Sequence, residues 1–363
     1  MTERFGFVPV FAGLVDEGSR SALIADYVPA LREIGGRQWR PEDMVNPPPL
    51  VFFIVGGGTE QRTLDLWAER SKTVPDEPVF LLAHPGQNSL PAALEILGRL
   101  RQDGMPGRIL YLHGPDDKEG FGRVEMAVHD LGARRSLHQA RIGLVGAPSD
   151  WLVASSPDPA TVRKIWGPEV VPIHLDELYQ ALQAVPEEAI APLVTSLVSG
   201  ATETREPSPT ELEDVVRVYV ALRQLVEQYD LNALTLRCFD LVVELKTTGC
   251  FALAQLNDEG IIAGCEGDLV STVGMLWVYT LLNQLSWMAN PSRLDEGRNT
   301  LWLGHCTVPI GLIFFNRLRS HMESGLGVGL QGTLPTGPVT LLRIGGKAMD
   351  QLWLAEGQVL RAG

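Results

Sequence analysis

Short, unbroken apolar runs, each followed by a turn residue and then a helical pattern, constrain this chain more than any other feature. Residues 50–55 form one such run, ending in Gly56, Gly57 and Gly58 before a helical pattern from Thr59 to about residue 71. Residues 5–11, 79–83 and 108–113 repeat the strand signature, with helical stretches over 18–33 and 89–102 among them. Strands with no polar alternation are buried on both faces, and strands separated by helices pair in parallel. The predicted fold is therefore α/β, with helices on both faces of a parallel sheet.

The same signature recurs downstream. Strand-like runs lie at 140–145, near 170–174, at 233–239 and at 261–265, with helices over 176–184, 209–229 and 251–258 and from Ser271. The helix at 209 has a strong start: Ser208 caps it, Pro209 suits its first position, and Glu211 and Glu213 favour its positive end. From about residue 291 the character changes to short β-like runs alternating with Gly325, Gly327, Gly329, Gly332 and Gly337. The expected organisation is an N-terminal α/β domain over 1–138, a second over 139–290, and a β-rich domain over 291–363. The first two are read as doubly wound and Rossmann-like, the third as small and barrel-like. Runs at 339–344 and 353–360 begin that third domain and the chain stops soon after, so an incomplete domain with an exposed sheet edge near 339–360 is expected.

The formal charge of −14 argues against a nucleic-acid partner and against anionic membrane surfaces. No apolar stretch reaches the roughly 18 to 20 residues of a membrane span; the segment 269–285 comes closest and reads as a buried helix. The four cysteines, Cys238, Cys250, Cys265 and Cys306, show no C-x-x-C spacing, which fits reduced thiols in a cytoplasmic protein. A soft-metal role is one reading of the three that flank the candidate site; small apolar fillers beside strands is the favoured one.

The candidate chemistry centres on residues 260–268. Successive strand residues point to opposite faces, so Glu266 and Asp268, two apart, are expected to point the same way from the C-terminal end of a strand. Open α/β sheets bind ligands at that end. Asp240 ends the preceding strand-like run, and His305 follows the run at 301–304. Carboxylates and a histidine gathered there would hold a divalent metal beside a substrate that gains and loses protons. The bland alternative is that these residues are helix caps and solvated turns. His321, Glu323 and Ser324 cluster hydrogen-bonding groups among glycines, as a sugar would require.

The stretches Cys238-Phe239-Asp240, Gly264-Cys265-Glu266-Gly267-Asp268 and Gly304-His305-Cys306-Thr307-Val308-Pro309 resemble the L-fucose isomerase and L-arabinose isomerase superfamily, in its shorter fucose isomerase-like branch. Residues 140–152 and 319–329 extend the likeness, which spans most of the chain from about residue 50 onward. The resemblance implies a metal-dependent aldose–ketose isomerase working through an enediolate on Mn²⁺, and a homo-oligomer, trimer or hexamer. It implies Asp240 as the first metal-binding carboxylate, where the family more often has Glu, and Glu266 or Asp268 as the second. His305 and His321 are expected at the metal or substrate, and Glu323 and Ser324 at the sugar. The relatives' C-terminal histidine pair has no counterpart here, His321 being the last histidine. The alternative is a sugar-binding or regulatory protein of the same fold without turnover; a structural subunit of a hetero-oligomer is a third reading.

Overall fold

A computed structural model describes residues 4–360. The chain divides into two compact units, one ending at Arg135 and the other beginning at Ser136. Each is built on a parallel sheet, and small, mostly antiparallel sheets complete a mixed α/β architecture.

In the first unit the strands are β1 (Phe5–Val10), β2 (Gly36–Gln38), β3 (Leu50–Ile54), β4 (Val79–Ala83) and β5 (Gly107–Tyr111). They pair in parallel in the order β2-β1-β3-β4-β5. The helices are α1 (Glu17–Ile24), α2 (Val28–Glu33), α3 (Glu60–Ser71), α4 (Ser89–Gln102) and α5 (Lys118–Gln139). Alternation along each strand feeds two cores: Phe5, Phe7, Phe53 and Leu82 pack on one side with Leu31 and Val124, while Val8, Val10, Phe52 and Leu81 pack on the other with Ile96 and Leu100. Each such fully buried side chain contributes about 1.5–3 kcal/mol of hydrophobic stabilisation. The expected single helix over 18–33 is two helices, broken after Ile24. The triple glycine is a strand-to-helix turn, with Gly58 at φ +77°.

The second unit opens with β6 (Arg141–Val145), α6 (Pro159–Ile165), β7 (Glu169–Ile173), α7 (Leu175–Ala184), α8 (Glu187–Gly200) and β8 (Glu203–Thr204). It continues through α9 (Pro209–Tyr229), β9 (Ala233–Leu236), α10 (Cys238–Leu245), α11 (Cys250–Asp258), β10 (Ile262–Cys265) and α12 (Leu269–Leu282). Four strands form a parallel sheet in the order β10-β9-β6-β7. From β6 the chain steps outward to β7; from β9 it steps the opposite way to β10. The order therefore reverses between β6 and β9, the place where the carboxyl ends of an open sheet leave a crevice. Here too the strands feed two cores, one shared with α9 and α11, the other with α12.

The remaining strands are β11 (Asn290–Asp295), β12 (Thr300–Gly304), β13 (Asn316–Arg319), β14 (Gly329–Gly332), β15 (Gly337–Gly345) and β16 (Gln351–Val359). They make a β11–β12 hairpin, a three-stranded sheet in the order β14-β13-β8, and a β15–β16 ribbon. The barrel-like expectation is corrected: among the described residues these are separate small sheets, and none closes on itself. β13 pairs in parallel with β8, tying this segment to residues 203–204. The ribbon leans on α12, where a Cβ on Gly274 would come within 3.1 Å of Leu342, while Trp353 and Leu354 are exposed. No helix among the described residues is long and apolar enough to cross a membrane.

Candidate functional site

The loops after β6, β9 and β10 meet at the carboxyl edge of the second sheet. Arg237, directly after β9, fastens them: its Nη1 donates to the Pro148 carbonyl at 2.6 Å and to Asp150 at 3.3 Å, and its Nε donates to Asp240 at 2.9 Å. From β10 the chain turns back sharply, with Glu266 at φ +63° and Gly267 at φ +72°. Gly267 is required there, because a Cβ would sit 2.6 Å from the Ala147 carbonyl oxygen and 2.7 Å from Pro148 Cα. The Ser149 N–H donates to the Glu266 carbonyl at 2.8 Å, closing the contact between the two loops. A non-glycine residue in the left-handed region is costly, and such conformations concentrate at functional positions.

The turn alters the expected arrangement of the carboxylates. The strand expected over 233–239 ends at Leu236, so Asp240 lies in the first turn of α10, half-buried and paired with Arg237. Strand alternation does not relate Glu266 to Asp268, since β10 stops at Cys265. Glu266 accepts a hydrogen bond from Trp151 Nε1 at 2.7 Å. Asp268 instead caps α12, accepting from Ser271 N at 2.8 Å and Ser271 Oγ at 2.7 Å, and it is buried. His305 is half-buried, with Nδ1 2.9 Å from Thr307 Oγ1. Ser324 Oγ lies 2.9 Å from His321 Nδ1, whereas Glu323 is exposed.

Sequence reasoning passed over the aromatic groups, and it set a soft-metal role for the thiols behind that of apolar fillers. Trp151, about half-exposed, packs edge-on against Phe239 at 5.1 Å, and Phe239 packs edge-on against buried His321 at 5.7 Å. Beyond His321 lie the cysteines. Cys250 Sγ and Cys306 Sγ are 3.0 Å apart, and so are Cys238 Sγ and Cys265 Sγ, with all four thiols free. These residues, expected as small apolar fillers, are buried or partly buried, and they stand in two thiol pairs. Cys250 is the first residue of α11, Cys306 follows β12 and His321 follows β13, so three separate elements converge. The hydrogen bond from the Cys250 thiol, with smaller help from His305 and His321, holds the Cys306 thiol far below its usual range. That same bond and burial push Cys250 up. His321 is raised by its hydrogen bond with Cys306, against its burial.

Cys250, Cys306 and His321 bring ligand atoms within 4.8 Å of one another, the single such trio among the described His, Cys, Asp and Glu residues. Asp240, Glu266, Asp268 and His305 are not gathered in that way. The donor chemistry of the trio, two sulfurs and an imidazole, suits soft or borderline cations; Mn²⁺ takes oxygen donors, and this set does not fit it.

The chain matches no protein-family model. It is similar to curated sulfoquinovose isomerases. Identity is 24% over 270 residues to the protein of Alkalicoccus urumqiensis, covering 71% of this chain and 59% of that protein. It is 24% over 296 residues to that of Clostridium sp. strain MSTE9, covering 76% and 66%, and 19% over 236 residues to that of Priestia aryabhattai, covering 63% and 53%. The chain thus spans between 53% and 66% of the length of these relatives. The expected membership of the fucose isomerase-like branch is corrected by this result: the relatives found are sulfoquinovose isomerases, a distant likeness to sugar isomerases.

Proposed function

We propose that the protein isomerises a sugar between its aldose and ketose forms through an enediol or enediolate, at the carboxyl edge of the second sheet. The observation that carries this reading is Glu266, held by Trp151 at the place where three loops meet. Aldose–ketose isomerisation moves a proton between adjacent carbons, and a positioned carboxylate contributes roughly 10²- to 10⁴-fold to such a transfer. Trp151 Nε1–H occupies Oε2 and leaves Oε1 of Glu266 free to take the proton. The half-exposed Trp151 ring and Phe239 offer an apolar wall for the C–H face of a sugar, while Phe239 also contacts His321, which with Ser324 adds hydrogen-bonding groups. The names of the relatives support a sugar substrate and make sulfoquinovose the first to try.

A sugar-binding protein without turnover is the second reading. It is favoured by the structural engagement of two of the three expected carboxylates, Asp240 in an ion pair and Asp268 in a helix cap. The test is incubation of the purified protein with sulfoquinovose and common aldoses in D₂O, followed by NMR. Deuterium entering C2, together with a new isomer, and loss of both in Glu266→Gln, is the expected outcome. Sugar-dependent thermal stabilisation with no exchange would replace the isomerase by the binder.

A further inference from the structure

We propose that Cys250, Cys306 and His321 form a binding site for one thiophilic divalent cation of the zinc class. The inference stands on the geometry of these three side chains and not on the isomerase reading. Their donor atoms, carried by α11 and by the segments after β12 and β13, already lie within 4.8 Å of one another. A tetrahedral ion with metal–sulfur bonds of about 2.3 Å holds two sulfurs roughly 3.8 Å apart. Opening the Cys250–Cys306 pair from 3.0 Å therefore asks for a movement of less than about 1 Å.

The imidazole is oriented for the role. Ser324 engages His321 at Nδ1, with its Oγ at 2.9 Å and its backbone N–H donating at 3.3 Å, which leaves Nε2 as the ring nitrogen for an ion; binding there places the ring proton on Nδ1, facing Ser324 Oγ. His321 sits in a backbone loop closed by its own N–H on the Leu326 carbonyl at 3.0 Å and by the Gly325 N–H on the His321 carbonyl at 2.8 Å, so the ring is fixed before any ion arrives. Gly327 sits beside Thr248 at φ +56°, where a Cβ would lie 2.6 Å from Thr248 Oγ1, holding the loop against the segment that leads into α11 and Cys250. Two sulfurs and a nitrogen supply three ligands and leave one tetrahedral position open, as in metal sites that take up an outside ligand.

The other thiol pair gives the contrast. Cys238 and Cys265 are just as close, but among the described residues no histidine, carboxylate or third thiol completes a trio with them. A disulfide between Cys250 and Cys306 would use the same closeness, but it would need an oxidant and would give His321 no part.

The experiment uses the full chain, purified under reducing conditions, stripped of metal and titrated with Co²⁺. The expected result is one ion per chain, with a thiolate-to-cobalt charge-transfer band and the intense visible bands of a tetrahedral site. Zn²⁺ should displace the cobalt, and Mn²⁺ should not compete. Cys306→Ser and His321→Ala should each weaken binding at least 100-fold, and Ser324→Ala about 10- to 100-fold; Cys238→Ser should bind as the unaltered chain does. Zn²⁺ should also protect two thiols of the unaltered chain from alkylation, a readout that needs no variant to fold. Absence of the charge-transfer band, its persistence in Cys306→Ser, or a Cys250–Cys306 disulfide that forms despite saturating Zn²⁺ would each overturn the site. Because every readout is metal binding or thiol protection, failure of the isomerase reading leaves this test unaffected, and the reverse holds too.

Discussion

Trp151 Nε1 donates to Glu266 Oε2 at 2.7 Å, joining the loop after β6 to the turn after β10 across 115 residues of sequence. The bond spans the point where the strand order reverses, so it fixes one carboxylate at the place this architecture offers a ligand. The Trp151 ring also makes an edge contact with Phe239, and about half of the residue faces solvent. Its orientation and that of Glu266 are thus mutually determined.

Trp151→Phe keeps the aromatic wall and removes the bond. On the proposed function it should lower kcat/KM for the sugar by roughly tenfold to a hundredfold, since a carboxylate displaced by about 1 Å loses alignment with the proton it takes. Glu266→Gln keeps a partner for the indole and removes the base, so its loss should be larger and fall on kcat. Both variants should unfold within about 1 kcal/mol of the unaltered protein, as an exposed hydrogen bond contributes little net stability. Steady-state kinetics beside urea unfolding separates the two effects. Equal kcat in all three proteins would remove Glu266 from the chemistry.

Asp268 makes a different prediction. Its carboxylate satisfies the Ser271 N–H at the start of α12, a helix whose buried face carries Leu269, Val273 and Leu276. Asp268→Ala should therefore destabilise the second unit by about 1–2 kcal/mol, the usual effect of losing such a cap. Asp268→Asn, which can still accept from Ser271, should retain most of that stability. Thermal unfolding checks this, with an expected fall of roughly 2–8 °C for the alanine variant. Unchanged unfolding in Asp268→Ala would show that the capping bonds carry no weight.

What the sequence made legible follows how local each signal is. The start of α9 was readable because Ser208, Pro209 and Glu211 lie within one helical turn, and the structure forms that capping box, with Ser208 and Glu211 each bonding the other's backbone N–H. The parallel strands were readable as unbroken apolar runs. Helix α5 was not, because Gly120, Gly122 and Gly132 interrupt its pattern. The carboxylates were read by strand alternation, which fails once Glu266 and Gly267 turn left-handed. The thiol pairs join residues 27 and 56 positions apart, and no local spacing rule reports a contact made by the packing of separate elements.

Glu259 supplies a pH dependence. It ends α11 and gathers three donors: Tyr219 Oη at 2.5 Å, Arg223 Nη1 at 2.5 Å and Gln255 Nε2 at 3.0 Å. Burial acts to raise its pKa, but the bonds from Tyr219, Gln255 and Arg223 together outweigh burial and hold it below the ordinary 4.5 of a glutamate. Tyr219 moves the other way, pushed up to about 12 by burial and by its bond to Glu259, so it stays protonated as a donor throughout the acid range. A carboxylate with a depressed folded-state pKa binds protons more readily in the unfolded chain. Its contribution to stability is therefore present above 4.5 and is lost as pH falls through the folded value. The urea midpoint of the second unit should drop as pH is lowered from 5.5 towards 3, to an extent that is smaller in Glu259→Gln, whose side chain does not titrate. Because other carboxylates, Glu211 among them, are also held low by hydrogen bonds, the variant should reduce the acid slope without abolishing it. Identical slopes in the two proteins would mean that the Tyr219–Glu259–Arg223 network does not hold the charged form of Glu259 in solution.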